Sequence, residues 1–309
     1  MNFIHSFNSK PVFIPQMYGV PIFYRMIGTI ICSAMSVAFV RARGHTISLH
    51  TDDIGVDLLA FIPYDKVYRT INDIPDDFHP RFWASCKMLA LEKEPLDTCH
   101  IDNDVFLKRT KVFDLIEKSD YDLLVQCKED GLRYKKWTSM FQDLPNPMRE
   151  LGLKPEEPGA FNTGIMNFRN QELKDKFIEN YKKLVKNYSK IGTKYLEGDD
   201  NLIPDLIVEQ THLYQISHDY NTMRLLQPME HNINYGHDIG YQHLLTKYKY
   251  TKLDKILGML EQVDPILHEM VMKKCTELFE MRTYNGIDLE IPQELLENNE
   301  ANEAKGKLS

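Results

Sequence analysis

Two aspartates separated by one residue, Asp102 and Asp104, are the sharpest chemical feature of the sequence. They follow a short apolar run typical of a buried strand, and ligands of open α/β sheets bind beyond the carboxyl ends of strands. Paired carboxylates at such a place repel each other unless a cation or hydrogen-bond donors compensate. Their hard oxygens suit Mg²⁺ or Mn²⁺ held together with substrate phosphates. The structural alternative is an Asx-type turn, in which the side chains bond to the local backbone.

The elements that must position this pair alternate between strand and helix along the chain. Short apolar or alternating runs predict strands, and longer patterns with a helical period predict helices. We predict strands over 10–17, 46–50, 65–71, 98–101, 122–127 and 164–168, and helices over 21–43, 81–91, 171–188 and 203–210. This alternation predicts an α/β fold with a mostly parallel, Rossmann-like central sheet flanked by helices.

The last part of the chain has a different pattern. Residues 253–281 have a purely helical period, and residues 289–309 are polar and rich in Glu and Asn. We therefore predict a main domain over 1–250, a C-terminal helical extension over 251–288 and a disordered tail over 289–309.

Charge and cysteine content disfavour several classes of protein. The formal net charge of -8 argues against nucleic acid as the main ligand, because phosphate backbones bind positive surfaces. A small phosphorylated ligand stays compatible, since a metal ion can override the net charge locally. The five cysteines form no C-x-x-C pair, so we expect buried thiols in a reducing, cytoplasmic compartment.

The N-terminal residues carry no signal-peptide pattern, and we expect no membrane span. The most apolar stretch, residues 26–40, is shorter than the roughly 20 residues that cross a bilayer. We therefore predict that it forms a buried helix, and peripheral membrane contact through a partner stays open.

The Asp102-Asn103-Asp104 sequence resembles the DXD motif of GT-A glycosyltransferases, which transfer a sugar from a nucleotide-sugar donor using a divalent metal. Three later segments are similar to motifs of the glycogenin-like, lipopolysaccharide-galactosyltransferase family, in the order of that family: 161–166, Glu209-Gln210 and 237–243. A poorly characterised bacterial DXD family also resembles this chain, at Phe82-Trp83-Ala84, Lys87 and His100-Ile101-Asp102. The resemblance covers about residues 10–250 and implies a GT-A-like fold.

The resemblance also implies a role for each motif residue. The implied ligands of Mn²⁺ or Mg²⁺ are Asp102, Asp104 and His237, with His231 as the rival third ligand. The implied donor-binding residues are Asp52, Asp53, Lys87, Asn162, Gly164, His243 and Lys247. The implied catalytic residues are Glu209 and Gln210. The chain departs from the family pattern where His243 replaces the final lysine of the third motif and Glu209 replaces an aspartate.

Several of these residues have structural explanations as well. Helix capping explains Asp52 and Asp53 equally well, and a tight turn before a buried strand explains Asn162 and Gly164. Lys87 fits a solvated position on an amphipathic helix, and Glu209 fits an exposed position on the helix over 203–210.

The leading hypothesis is a metal-dependent glycosyltransferase that moves a sugar from a nucleotide-diphosphate sugar, preferably a UDP-sugar, to a glycan or glycoconjugate. The resemblance favours retention of the anomeric configuration, and inversion with Glu209 as general base stays open. One alternative is another metal-dependent phosphoryl or nucleotidyl transferase, which is disfavoured because the sequence has no glycine-rich phosphate loop. The other is a non-catalytic member of the fold that binds a nucleotide sugar or a protein. We expect residues 128–158 and the C-terminal helices to recognise the acceptor.

Overall fold

The computed structural model describes residues 1–14, 19–79, 82–129, 147–154, 159–191, 203–226, 236–244 and 246–297. Within these ranges, strands and helices alternate through most of the chain, and two consecutive helices and a short hairpin lie near its end. The strands are β1 Asn2–Phe7, β2 Thr46–Thr51, β3 Lys66–Tyr68, β4 Thr98–Ile101, β5 Val105–Leu107, β6 Leu123–Glu129, β7 Ala160–Phe168, β8 Thr222–Arg224, β9 Tyr241–His243, β10 Thr283–Tyr284 and β11 Ile287–Asp288.

The helices cover both faces of the sheet and form the C-terminal part of the chain. They are α1 Ile22–Arg41, α2 Asp53–Leu59, α3 Ser85–Lys93, α4 Thr110–Lys118, α5 Pro147–Glu150, α6 Gln171–Ile191, α7 Ile203–Leu206, α8 His212–Ile216, α9 Leu253–Val263 and α10 Pro265–Met281. A π-helical turn, Ile207–Thr211, joins α7 to α8.

The central sheet has seven strands in the order β3-β2-β1-β4-β7-β6-β8. Strand β7 runs antiparallel to β4 and β6, and the other neighbouring pairs are parallel. The short strands β5 and β9 form a separate antiparallel ribbon. These observations confirm the predicted α/β class with a mostly parallel sheet flanked by helices.

Both faces of the sheet are buried, as expected for parallel strands that lie between helices. In β1, Phe3 packs on the face covered by α1, α4, α9 and α10, whereas Ile4 packs on the face covered by α3, α6 and residues 207–216. A strand that is apolar on both faces loses the alternation by which half-buried strands are recognised.

Helix α1 is the most apolar helix and lies in the core. Its length and hydropathy would allow it to cross a membrane, but 78% of its most apolar window is buried inside the protein. It ends as predicted near Gly44, whose φ of +75° is favourable for glycine after a helix. The prediction of a buried helix is confirmed.

The predicted opening strand over 10–17 is wrong. The first strand is β1, and Lys10–Phe13 form a 3-10 turn instead, while residues 15–18 lie outside the described part of the chain. Pro11 cannot donate a ladder hydrogen bond, which disfavours a sheet strand there. The predicted strand over 65–71 is also too long, because β3 ends at Tyr68 and Thr70–Asp73 form a second 3-10 turn.

The predicted C-terminal helical extension contains two helices, α9 and α10. Pro265 begins α10, and Asp264 caps it by accepting a hydrogen bond from Leu267 N at 3.0 Å. A hairpin of β10 and β11 follows, with positive φ angles at Asn285 and Gly286 as its tight turn requires.

The first residues of the predicted disordered tail pack against the protein. Leu289 is fully buried, and its carbonyl accepts a hydrogen bond from Phe23 N at 2.7 Å. The Glu290 carboxylate accepts one from Ile22 N at 3.0 Å. An apolar side chain and a carboxylate at the N-terminus of α1 both stabilise this contact, because the first helical N–H groups otherwise lack partners. Residues 298–309 lie outside the described ranges.

Candidate functional site

Asp102 and Asp104 lie in the turn between β4 and β5, at the carboxyl end of β4. Asp102 N donates a hydrogen bond to Gly164 O of β7 at 2.8 Å, and Val105 N closes the turn on Asp102 O at 2.9 Å. Between the two aspartates, Asn103 Nδ2 donates to Ser33 Oγ of α1 at 3.0 Å. The backbone and the Asn103 side chain therefore hold the turn, and the two carboxylates are left for other partners.

The β5–β9 ribbon brings a histidine to this turn. Val105 pairs with His243, and Leu244 N donates to Asp104 O at 3.0 Å. As a result, His243 Nε2 lies 3.3 Å from Asp104 Oδ1 and 3.9 Å from Asp102 Oδ2. Ligand atoms of these three residues all lie within 4.8 Å of one another, a spacing that could hold a metal ion.

Gln126 fixes the orientation of the His243 ring by contacting Nδ1, the ring nitrogen that points away from the aspartates. Gln126 Oε1 lies 2.7 Å from His243 Nδ1 and also accepts a hydrogen bond from the Tyr241 hydroxyl at 2.7 Å. Because an amide oxygen can only accept, His243 Nδ1 donates to Gln126, and Nε2 faces the two carboxylates. A second hydrogen-bonded group of this kind is the usual partner of a metal-binding histidine.

Gly164 makes room for this arrangement. A Cβ atom at residue 164 would lie 2.5 Å from His243 Nδ1 and 2.6 Å from Gln126 Oε1, closer than side chains tolerate. Gly164 also supplies the carbonyl that receives Asp102 N. The glycine is thus required by the close approach of the histidine ring to β7.

Each aspartate uses one oxygen for a lysine and turns the other toward His243. Lys87 Nζ lies 3.0 Å from Asp102 Oδ1, and Lys249 Nζ lies 2.9 Å from Asp104 Oδ2. Burial acts to raise the pKa of Asp104, but Lys249 and His243 outweigh it and hold that pKa well below its usual range. Two carboxylate oxygens and one imidazole nitrogen remain directed at a common point. This donor set fits a divalent cation.

Lys87 connects the aspartates to a second, deeper carboxylate. Its ammonium group lies 3.0 Å from Glu209 Oε1, which also accepts a hydrogen bond from Thr163 Oγ1 at 2.8 Å. Lys87 and Glu209 are both buried, so neither the solvated-lysine nor the exposed-glutamate explanation holds. Burial raises the pKa of Glu209, and Lys87 opposes that rise. Glu209 lies in the π-helical turn, a feature that is frequent at functional sites.

Asp205 is a buried carboxylate that the sequence analysis missed. It accepts hydrogen bonds from Ala84 N and the Tyr181 hydroxyl, both at 2.8 Å. Burial, followed by the charge of Glu209, raises the pKa of Asp205 to about 8. The available signal was its spacing of four residues from Glu209, which places both carboxylates on one face of a helix. Gln126 and Lys249 were missed too, because neither belongs to a recognisable motif.

The other donor-binding residues mostly have structural partners. Asp52 caps α2 through Gly55 N at 2.7 Å and also accepts from Ser9 N and Ser9 Oγ, whereas Asp53 is exposed and pairs with Arg69. Asn162 accepts from Gly164 N at 3.0 Å and donates to Glu129 at 2.7 Å. Gln210 is buried beside Glu209 in the π-helical turn.

The structure brings His243, and not His237, to the two aspartates. His237 lies in an exposed turn, and it is not part of the three-residue cluster found among the described residues. His231 falls outside the described ranges. Lys247 belongs to the 3-10 segment Thr246–Lys252, in which the neighbouring Lys249 reaches Asp104.

Sequence comparison assigns the chain to a protein family and to no individual relative. The family described as "Family of unknown function (DUF6734)" matches residues 1–282. Among curated proteins, no sequence matches the chain.

Three solved structures resemble the chain at low identity. A galactosyltransferase LgtC bound to donor and acceptor sugar analogs has 9% identity over 85% of this chain and 96% of its own, with a TM-score of 0.41. The glycosyltransferase GlyE of Streptococcus pneumoniae TIGR4 has 13% identity over 89% and 64%, with a TM-score of 0.40. Mouse xyloside xylosyltransferase 1 has 11% identity over 72% and 85%, with a TM-score of 0.34. Because every TM-score lies below 0.5, these similarities do not establish a shared activity.

Proposed function

The chain belongs to the DUF6734 family, whose function is unknown, and we propose that it is a metal-dependent glycosyltransferase. Its substrate would be a nucleotide-diphosphate sugar, preferably a UDP-sugar, and its acceptor a glycan or glycoconjugate such as a growing polysaccharide. The observation that carries this proposal is the convergence of Asp102, Asp104 and His243 beside the buried Lys87–Glu209 pair. The DXD resemblance of the sequence supports the same reaction.

The metal-ligand set of the proposal is Asp102, Asp104 and His243. A divalent cation held there would act as a Lewis acid on the diphosphate, which gains negative charge when the bond to the anomeric carbon breaks. The imidazole nitrogen favours Mn²⁺ over Mg²⁺, which takes oxygen ligands almost exclusively. The ammonium groups of Lys87 and Lys249 would add positive charge on the same side of the reacting bond.

Glu209 is the proposed group on the sugar side of the site. Its carboxylate is fixed by Lys87 and Thr163, and a fixed negative charge suits an anomeric carbon that becomes positive in the transition state. Burial raises the pKa of Glu209 and Lys87 opposes the rise. A general base also needs a free oxygen, however, and Oε1 of Glu209 already contacts Lys87 Nζ and Thr163 Oγ1. These contacts favour charge stabilisation, and with it retention of the anomeric configuration. Gln210, the neighbouring residue, is the second proposed catalytic group.

A donor survey tests the proposal directly. The protein is incubated with a panel of nucleotide sugars and Mn²⁺ or Mg²⁺, with and without acceptor extracts, and release of free nucleoside diphosphate is followed. We expect metal-dependent release from one donor, and we expect Asp104→Asn to abolish it. Asp114→Asn, which changes an exposed aspartate paired with Lys118 on the surface, should not. Release of nucleoside monophosphate would instead indicate transfer of a sugar phosphate, and release of sugar 1-phosphate would indicate transfer of the nucleotidyl group. Donor binding without any turnover would indicate a non-catalytic role.

The proposal has two further parts, acceptor recognition and cellular location. Acceptor recognition by residues 128–158 stays a prediction, because 130–146 and 155–158 are outside the described ranges. A cytoplasmic location also stays a prediction.

A further inference from the structure

The charges of Asp102 and Asp104, in the turn between β4 and β5, are already paired within the protein. Asp102 and Asp104 carry two negative charges, and Lys87 and Lys249 place one ammonium group on each of them at 3.0 and 2.9 Å. The third ligand-type residue, His243, is oriented by the contact of its Nδ1 with Gln126 Oε1 at 2.7 Å. Glu209 shares Lys87 with Asp102, so three carboxylates face two ammonium groups. Each aspartate thus already has a cationic partner, although the oxygens have the spacing of a cation site.

This pairing changes what the site can bind. Bare dications bind carboxylate sites because the ligands bring several negative charges. Here the attraction of the carboxylates for a dication is opposed by two ammonium groups at hydrogen-bond distance from the same carboxylates. A diphosphate removes this opposition, since its oxygens attract the ammonium groups and the cation alike.

The two lysines differ in how a ligand can reach them. Lys87 is 8% exposed and is also bound to Glu209, so its position is fixed from two sides. Lys249 is 22% exposed and pairs with Asp104 from the 3-10 segment Thr246–Lys252. The adjacent Tyr250 ring packs so closely on Gly28 of α1 that a Cβ atom at residue 28 would lie 2.7 Å from it. Lys249 is thus anchored at the site and still accessible to an incoming anion.

We propose that Lys249 makes metal binding depend on the diphosphate, so that the cation and the nucleoside diphosphate bind together and the bare cation binds weakly. This inference rests on the proposed function, because it concerns the same metal and donor site. Thermodynamic linkage requires the effect to be mutual: the diphosphate strengthens cation binding by the same factor as the cation strengthens diphosphate binding.

Calorimetric titration with Mn²⁺, alone and in the presence of UDP, tests the inference on the whole protein. Four proteins are compared: the parent, Lys249→Met, Lys249→Arg and Lys255→Met. Methionine removes the charge and keeps the length of the side chain, arginine keeps the charge, and Lys255 is an exposed lysine of α9 that controls for net charge. Uridine, which has the base and ribose but no phosphate, replaces UDP in a parallel series.

For the parent protein we expect UDP to tighten Mn²⁺ binding by at least about tenfold, and uridine to leave it unchanged. Lys249→Met should bind Mn²⁺ alone about tenfold more tightly than the parent, and the effect of UDP should become smaller. Lys249→Arg and Lys255→Met should behave like the parent. Tighter binding of Mn²⁺ alone together with a smaller effect of UDP would indicate an electrostatic role of Lys249. A loss of structure would weaken both the binding of Mn²⁺ alone and the effect of UDP. Melting temperatures of all four proteins verify that they are folded.

The inference is overturned if Lys249→Met binds Mn²⁺ no more tightly than the parent, or if the effect of UDP is the same in both. In that case Mn²⁺ still binds, and the proposed glycosyltransferase site stands without the role of Lys249. If Mn²⁺ binds none of the four proteins, with or without UDP, the metal site itself and both proposals are refuted.

Discussion

Replacing Lys87 by methionine should destabilise the protein in a way that depends on Glu209. The Glu209 side chain is 1% exposed, and Lys87 is its cationic partner. Removing one member of a buried ion pair leaves the other charge without compensation and costs about 3–5 kcal/mol. Asp102 loses the same partner, but it is 25% exposed and can be solvated. The expected loss in free energy of unfolding for Lys87→Met at neutral pH is therefore about 3–5 kcal/mol, and it comes mainly from Glu209.

The sign of the pH dependence follows from the Glu209 pKa. Burial raises that pKa in the folded protein, and without Lys87 nothing of comparable strength opposes the rise. A carboxyl group whose pKa is higher in the folded than in the unfolded state favours folding below its unfolded pKa of about 4.3. This contribution is lost as the pH rises through the folded-state pKa. The stability deficit of Lys87→Met relative to the parent should consequently be small near pH 4 and grow toward pH 8.

Urea unfolding at several pH values measures this deficit, with Lys87→Met/Glu209→Gln as the second variant. Removing the carboxylate as well should restore most of the lost stability and flatten the pH dependence. Lys183→Met, which breaks a surface pair with Glu179, serves as a control that should change little. A deficit that is equal at pH 5 and pH 8, or a double variant no more stable than Lys87→Met, would refute the reasoning.

Three further changes have expected outcomes. Gly164→Ala should weaken Mn²⁺ binding in the presence of UDP by about 10- to 100-fold, because the new methyl group displaces the His243 ring. Calorimetry measures this loss, and circular dichroism should show an unchanged fold. Asp52→Ala should cost about 1 kcal/mol of stability through loss of the α2 cap and leave donor turnover unchanged, and a loss of turnover without a loss of stability would contradict the capping role. The folded-state pKa of Asp205 is about 8 and lies above its unfolded value, so the protein should lose stability as the pH rises from about 4 through 8. In urea unfolding, Asp205→Asn should remove this contribution to the pH dependence of the free energy of unfolding.

Much of the sheet could be predicted because its strands have clear boundaries. Strands β2, β4 and β6 were expected within a few residues of their observed limits, and the turn after β4 places Asp102 at the predicted edge. Strand β1 was missed because it is buried on both faces and contains three polar residues, Asn2, His5 and Ser6. His5 is fully buried, with hydrogen-bond partners in Ser36 and Tyr64, and burial lowers its pKa to about 3. A buried histidine interrupts the apolar run from which a buried strand is predicted in the sequence.

That His243 faces the aspartates could not be predicted from spacing. The sequence motif pointed to His237, with His231 as its rival, and gave His243 a donor-binding role. What selects His243 is the antiparallel register of β5 and β9, in which Val105 faces His243 across about 140 residues of chain. A shift of this register by one residue would turn the imidazole to the other face of the ribbon. Long-range register depends on the packing of the whole domain, which a local pattern does not contain.

The buried charges around β4 are better explained by chemistry than by stability. Lys87, Asp102 and Glu209 form an ion-pair chain at the carboxyl edge of a sheet whose two faces are otherwise packed with apolar side chains. Ion pairs of this kind generally stabilise a fold no better than apolar residues of the same size, because each charge must first be removed from water. Groups with shifted pKa values and specific charge partners concentrate instead at sites that act on a ligand. In the proposed reaction, the chain from Glu209 through Lys87 to Asp102 would join the two places where charge of opposite sign develops when a sugar leaves a diphosphate. This continuity supports the proposal of a transferase over that of a protein that only binds.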